Sequence, residues 1–248
     1  MSMISAALVA VLSLSLMSGP TVAQELPANV VTFTPAVATD YVTPIGIHTG
    51  RTSFQGDAMY SRFFGQRGQN RWYAGLWGAM GANFGDEYDT YVGVFYDTGV
   101  GLLNAEILTY NIEPVGFDLS PGDAYELGIR HNWRLSDRWT AGIGARFVTV
   151  KELPVRSAPI LYAECEWTCP VAARTEVSVR QRLGHDFGVY GFAQDDLSNT
   201  RLTLSHAFDS YGASKLSGYL DGSGTINGDA PRGYYVSAGL AFSQSFGF

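Results

Sequence analysis

The sequence offers few side chains equipped for covalent or metal chemistry, and their spacing works against it. A hydrolytic centre needs a nucleophile beside a histidine base that a carboxylate orients. The histidines are His48, His131, His185 and His206. Ser205 adjoins His206, but chain neighbours on a strand point to opposite faces and cannot bond as a dyad. His131 shares its face with Ile129 and Trp133, and His48 and His185 fall in loop-like segments. Cys165 and Cys169 are the one pair of His or Cys with ligand-like spacing. No catalytic residue, metal or cofactor is therefore expected. The chemistry the sequence does favour is electrostatic. Of 16 basic residues only Lys151 and Lys215 are lysines, so guanidinium groups dominate, and guanidinium suits charge held inside a structure.

The 248 residues are 46% apolar, 13% aromatic and only 16% charged, with 29 glycines and a mean hydropathy of +0.02. That much apolar material excludes a disordered chain. The charged fraction lies below the roughly 25% of soluble domains, which suggests a protein not wholly in water. A net charge of −7 and a pI near 5.0 argue against a nucleic-acid partner.

Ile4 to Met17 is an apolar run, Ser18-Gly19-Pro20 breaks it, and Thr21-Val22-Ala23 supplies small residues before Gln24. Residues 1–23 read as a secretory signal peptide cleaved after Ala23. Residues 24–248 contain no apolar run near 18 residues, no linker and no long repeat, so they form one domain without a transmembrane helix. Such an exported chain can still enter a membrane as a closed barrel of alternating strands.

The alternation is clear from Ala124 to Arg134. Tyr125, Leu127, Ile129, His131 and Trp133 share one face, and Glu126, Gly128, Arg130, Asn132 and Arg134 the other. After a turn at Ser136-Asp137, Trp139, Ala141, Ile143, Ala145 and Phe147 oppose Thr140, Gly142, Gly144 and Arg146. The final segment, Tyr234 to Phe248, repeats the rule and ends on an aromatic residue. The polar faces carry Gly, Ser, Thr, Asn, Arg and Glu rather than the lysines of a water-facing sheet, which fits the crowded interior of a barrel. Trp72, Trp133, Trp139, Tyr125 and Tyr234 fall near segment ends, where a membrane interface holds aromatic rings.

Twelve strands follow: 30–41, 57–64, 71–84, 88–97, 101–110, 124–134, 139–150, 174–183, 187–194, 200–208, 213–220 and 234–248. Long connections at 42–56, 111–123, 151–173 and 221–233 belong to one end, and short ones at 98–100, 135–138 and 184–186 to the other. Ala158 to Trp167 can also pair as a strand, which leaves ten or fourteen as alternatives. The fold class is an all-β, antiparallel, up-and-down transmembrane barrel.

Ala38-Thr39-Asp40-Tyr41-Val42, Gln55-Gly56-Asp57, Trp72-Tyr73-Ala74-Gly75-Leu76-Trp77, Asn83-Phe84-Gly85-Asp86 and Tyr88-Asp89-Thr90-Tyr91-Val92-Gly93 resemble the opening strands of the TorF family of proteobacterial outer-membrane porins. The likeness covers about the first 70 residues after the signal and departs at Thr43-Pro44-Ile45-Gly46. It implies an outer-membrane barrel with a channel role.

By alternation the inward residues include Asn104, Glu106, Glu126, Arg130, Arg134, Arg146, Glu176, Arg180, Arg182 and Arg201, six arginines against three glutamates. These are the expected pore-lining residues, and their excess of cations would favour anions. Arg180 and Arg182, adjacent on one face without matching acids in that strand, are the expected solute-facing charges. Cys165 and Cys169, in the longest connection, are expected to close a small disulfide loop. The partners expected are outer-membrane lipid and small hydrophilic solutes, passed passively through the lumen. The contrasting reading is a non-conducting barrel that serves as an anchor or as a recognition scaffold through its loops.

Overall fold

The computed structural model describes residues 28–39, 52–65, 69–82, 85–112, 124–150, 158–188, 195–208, 213–227 and 234–248. The signal segment, His48, Lys151 and the side chain of Tyr234 lie outside the described residues. Twelve strands are described: β1 (Asn29–Ala38), β2 (Ser53–Phe64), β3 (Asn70–Ala82), β4 (Gly85–Asp97), β5 (Leu102–Ile112), β6 (Ala124–Arg134), β7 (Trp139–Val150), β8 (Ala158–Ala172), β9 (Thr175–Asp186), β10 (Asp195–Phe208), β11 (Ala213–Asn227) and β12 (Tyr234–Gly247). Each pairs antiparallel with its sequence neighbours, and β1 pairs with β12, with Val30 opposite Gly247 and Ala38 opposite Gly239. Closure leaves no unpaired edge, the condition for a sheet to sit in hydrocarbon. The seam is tied at its base, where the Phe248 amide donates to the Asn29 carbonyl at 3.0 Å.

The period-two pattern places one residue in two on the outside. Leu76, Val92, Ile107, Leu127, Ile143 and Leu204 are all about half exposed there, so the apolar side of these strands covers no protein core. Aromatic rings gather at one end: Trp72 enters β3, Tyr96 leaves β4, and Trp133 and Trp139 flank the β6–β7 turn. Short connections at 65–69, 98–101, 135–138, 173–174 and 209–212 share that end with the start of β1 and the end of β12. The opposite end carries the longer connections 39–52, 113–123, 151–157, 187–194 and 228–233.

Strand number and hairpin β6–β7 match the sequence reading, but two elements trade places. Ala158 to Ala172 is not a loop: it is β8, paired along its length with β7 and β9. The strand expected at 187–194 is absent from the described part of that range, because β9 runs on to Asp186 and β10 starts at Asp195. One gain and one loss leave the total at twelve. The turn after β8 is the two-residue Ala173-Arg174, with Arg174 at φ 67° in the left-handed region that tight hairpins require. Likewise β11 runs through Asp221 to Asn227, so the first half of the expected 221–233 loop is strand.

This correction removes the disulfide. Cys165 and Cys169 are both free and stand four residues apart on one extended strand. At about 3.3 Å per residue their Cα atoms are roughly 13 Å apart, about twice the reach of a disulfide. Both thiols are expected to take up maleimide in denaturing detergent with no reductant present, read as a mass gain of two adducts. Labelling that required prior reduction would contradict this placement.

Candidate functional site

The inner wall is built by the residues that alternate with the lipid-side belt. Asn104, Glu106, Glu126, Arg130, Arg146, Arg180 and Arg201 are all buried there, and Arg182 and Glu176 are partly buried. Arg134, at the short-turn end of β6, is instead exposed and pairs with Asp137 of the turn at 2.8 Å.

Two acids that the sequence reading placed in loops organise the arginines. Glu164 of β8 accepts from Arg130 Nη1 at 3.0 Å through Oε1, and from Arg182 Nε at 3.0 Å and Nη2 at 2.7 Å through Oε2. Arg130 reaches it across β7, passing the strand at its register partner Gly144. Asp221 of β11 accepts from both Nε and Nη2 of Arg201, and Asn199 Nδ2 donates to it at 2.6 Å. Arg180 Nη2 donates to the same Asn199 at 3.2 Å. Arg182 and Arg201 each lie over a tyrosine ring, Tyr162 and Tyr219, at 4.6 and 4.7 Å from the centroid. Three guanidinium groups thus bond to two carboxylates, Arg130 and Arg182 to Glu164 and Arg201 to Asp221, and Arg180 joins them through Asn199. The matching acid of Arg182, missing from its own strand, comes from the neighbouring one.

The wall across from this sector has the opposite character. Asp57 of β2, Glu87 and Asp89 of β4 and Glu106 of β5 gather there with Arg71 of β3. Tyr73 Oη donates to Glu106 at 2.7 Å and accepts from Asn104 Nδ2 at 2.8 Å, and Tyr91 Oη donates to Asp57 at 2.6 Å. Arg71 stacks on Phe95 and Tyr73, at 4.5 and 5.4 Å from their centroids. Between the sectors Arg146 pairs with Glu126, whose second oxygen accepts from Tyr110 Oη at 2.6 Å. Because β3 and β9 are six strands apart in a ring of twelve, acidic and basic walls face each other across the lumen.

Every one of these bonds joins a strand to its neighbour or to the next but one, so the charged side chains lie along the wall rather than across the bore. Glycines make this possible. A Cβ on Gly75 would stand 2.4 Å from the Tyr91 ring, on Gly93 2.5 Å from Tyr73, on Gly144 2.4 Å from Tyr162, and on Gly239 2.3 Å from Tyr219. Each tyrosine lies flat over a glycine of the adjacent strand. The expected count of six arginines against three glutamates accordingly gives way to a wall that also holds Asp57, Glu87, Asp89, Glu164, Asp186 and Asp221. The partners of Asp57, Glu164 and Asp221 are one or two strands away, which no within-strand pattern can show.

The described histidines stay dispersed. His206 Nδ1 meets the Thr175 hydroxyl at 2.9 Å on the outer face, while Ser205 bonds Ser217 on the inner one. His131 meets Thr98 at 3.1 Å and packs on Trp133.

A closed, antiparallel, twelve-stranded barrel with an apolar exterior and a charged interior is an outer-membrane type of β-barrel. Among solved structures the chain is similar to the COG4313 outer membrane channel from Pseudomonas putida F1, with 12% identity over 92% of this chain and 100% of that one and a TM-score of 0.55. It is also similar to the KdgM porin, solved in complex with disordered oligogalacturonate (9% identity, 88% and 99% coverage, TM-score 0.53). The NanC porin matches equally well (9%, 87% and 99%, TM-score 0.53). At these identities the likeness is one of fold. No family model and no curated protein matches the sequence.

Proposed function

We propose that the chain is a porin-like channel of the bacterial outer membrane, exported by cleavage after residue 23, through which small hydrophilic solutes pass passively. The resemblance of residues 38–93 to the TorF porins belongs to the same reading. One observation carries it: the inner charges are tied to their own side of the wall. Barrel width grows about linearly with strand number, and side chains just fill an eight-stranded interior. Twelve strands with wall-bound side chains therefore leave a bore between them.

The anion preference rests on one cluster alone, where Arg130, Arg180, Arg182 and Arg201 outnumber the three acids Glu164, Glu166 and Asp221. A solute crossing there passes between this basic wall and the acidic wall of β2–β5, so polar and zwitterionic solutes are favoured along with anions. Conductance in a planar bilayer tests the reading. Discrete steps are expected from the folded protein, and their absence above the lipid baseline would leave the non-conducting scaffold instead. Replacing Arg180 and Arg182 together by Glu is expected to move the reversal potential towards cations, with Arg180→Gln as the milder variant. An unchanged potential in both would remove these residues from the conduction path.

A further inference from the structure

We propose that Arg71 holds one small monovalent anion, of the size of chloride or formate, in the inner wall at the short-connection end of the barrel. The site lies apart from the cluster of Arg130, Arg180, Arg182 and Arg201, and it does not depend on whether the bore conducts. Arg71 is the second residue of β3, in register with Phe63 of β2 and Phe95 of β4. It takes the inner face and is 4% exposed. Its guanidinium rests against the rings of Phe95 and Tyr73, two members of an apolar cluster completed by Met59, Tyr91 and Leu108.

No described acid pairs with this charge. Its hydrogen bond runs from Nη1 to Ser61 Oγ at 3.5 Å, long for such a contact. Nε and Nη2 are buried with no partner among the described residues. Together these two nitrogens form one edge of the guanidinium fork, which grips a carboxylate or a comparable anion through two N–H donors. Two other arginines of the same wall show that use: Arg182 directs Nε and Nη2 to Glu164, and Arg201 directs the same pair to Asp221. Arg71 presents the same edge with no carboxylate of the described residues on it. The first acid beyond Phe95 on the facing strand, Asp97, is exposed, and its Oδ1 accepts from the Gly99 amide at 2.8 Å.

A guanidinium keeps its positive charge in proteins, so burial here cannot be relieved by loss of a proton. The aromatic faces offset part of the cost, but they leave the N–H edge unbonded, and buried donors need acceptors. An anion on that edge supplies the opposite charge and the acceptor together. The apolar cluster penalises multiply charged ions, which hold water most strongly, and the close cover over the side chain excludes bulky ones.

The urea-unfolding midpoint of the folded full-length protein in non-ionic detergent tests the site. At constant ionic strength, exchanging gluconate for chloride or bromide is expected to raise the midpoint and then saturate, as binding of one ion to the native state requires. Arg71→Gln, which keeps a polar side chain but no charge, is expected to abolish the response, and Arg62→Gln, at an exposed position on β2, to retain it. Wild-type crystals grown in bromide are expected to show anomalous scattering from an ion within hydrogen-bond distance of Arg71 Nε and Nη2. A midpoint indifferent to chloride, an equal response in Arg71→Gln, or crystals without bromide at Arg71 each overturns the proposal and leaves water as the partner of that edge. Bilayer conductance is read separately. A conducting protein without the chloride response strikes only this site, and bound bromide in a barrel without conductance steps strikes only the channel.

Discussion

Replacing Glu164 by Leu is expected to lower the stability of the barrel by about 3 kcal/mol, the size of effect seen when one member of a buried ion pair is removed. Glu164 is the shared acceptor of Arg130 and Arg182, and the side chains of Glu164 and Arg130 are 6% and 1% exposed. Without the carboxylate, the guanidinium groups of Arg130 and Arg182 keep their reduced hydration and lose the acid that binds them, in one sector with Arg180 and Arg201. The midpoint of urea unfolding, followed by tryptophan fluorescence in detergent, reads the loss. Two further arms separate charge from packing. Glu164→Gln retains one acceptor for the guanidinium groups and is expected to recover only part of the stability. Glu164→Leu combined with Arg130→Met is expected to recover more, since an apolar set of similar volume is tolerated where a half-pair is not. In the bilayer the single variant is expected to strengthen anion preference. A wild-type unfolding midpoint would mean that water in the bore already solvates the two arginines.

The second large effect is steric. Gly93→Val puts a branched side chain where a Cβ alone would sit 2.5 Å from the Tyr73 ring and 2.8 Å from the Ala105 carbonyl. The backbone oxygen cannot yield, so the ring must lift from the wall. It then loses its bonds to Glu106 and Asn104, both buried partners, and the Arg71 stack is broken. Overpacking and stranded buried polar groups together are expected to cost about 3 kcal/mol. The displaced ring moves into the bore, so single-channel conductance should fall. Gly128→Ala is the control, because there the nearest atom is 3.6 Å from the added carbon and both stability and conductance should stay close to wild type. Equal conductance in Gly93→Val and wild type would place the narrowest part of the passage elsewhere.

Hairpin β6–β7 shows how much of this was legible in one dimension. Its two faces alternate without interruption, its aromatic residues mark the end, and its boundaries in the structure are those of the sequence pattern. β8 shows the limit. Its outward Leu161, Ala163, Cys165 and Trp167 alternate with an inward set of Ile160, Tyr162, Glu164 and Glu166. Both faces therefore hold apolar groups, and with Pro159 and Pro170 near the ends and two cysteines between, the segment reads as irregular. Proline is tolerated because it sits near the ends of the strand, where fewer ladder bonds are lost.

The charged wall divides in the same way. Alternation along the chain decides which side of the sheet a residue takes, because successive side chains of any strand point in opposite directions, and that much is local. Which acid meets which arginine is not local: Glu164 lies 34 residues from Arg130 and 18 from Arg182. Those pairs exist only once closure and register have brought β6, β8 and β9 side by side. The sequence alone therefore determined a sheet with one greasy and one charged face. The tertiary structure decided how the charges are matched, because register between strands is set by pairing around the whole ring.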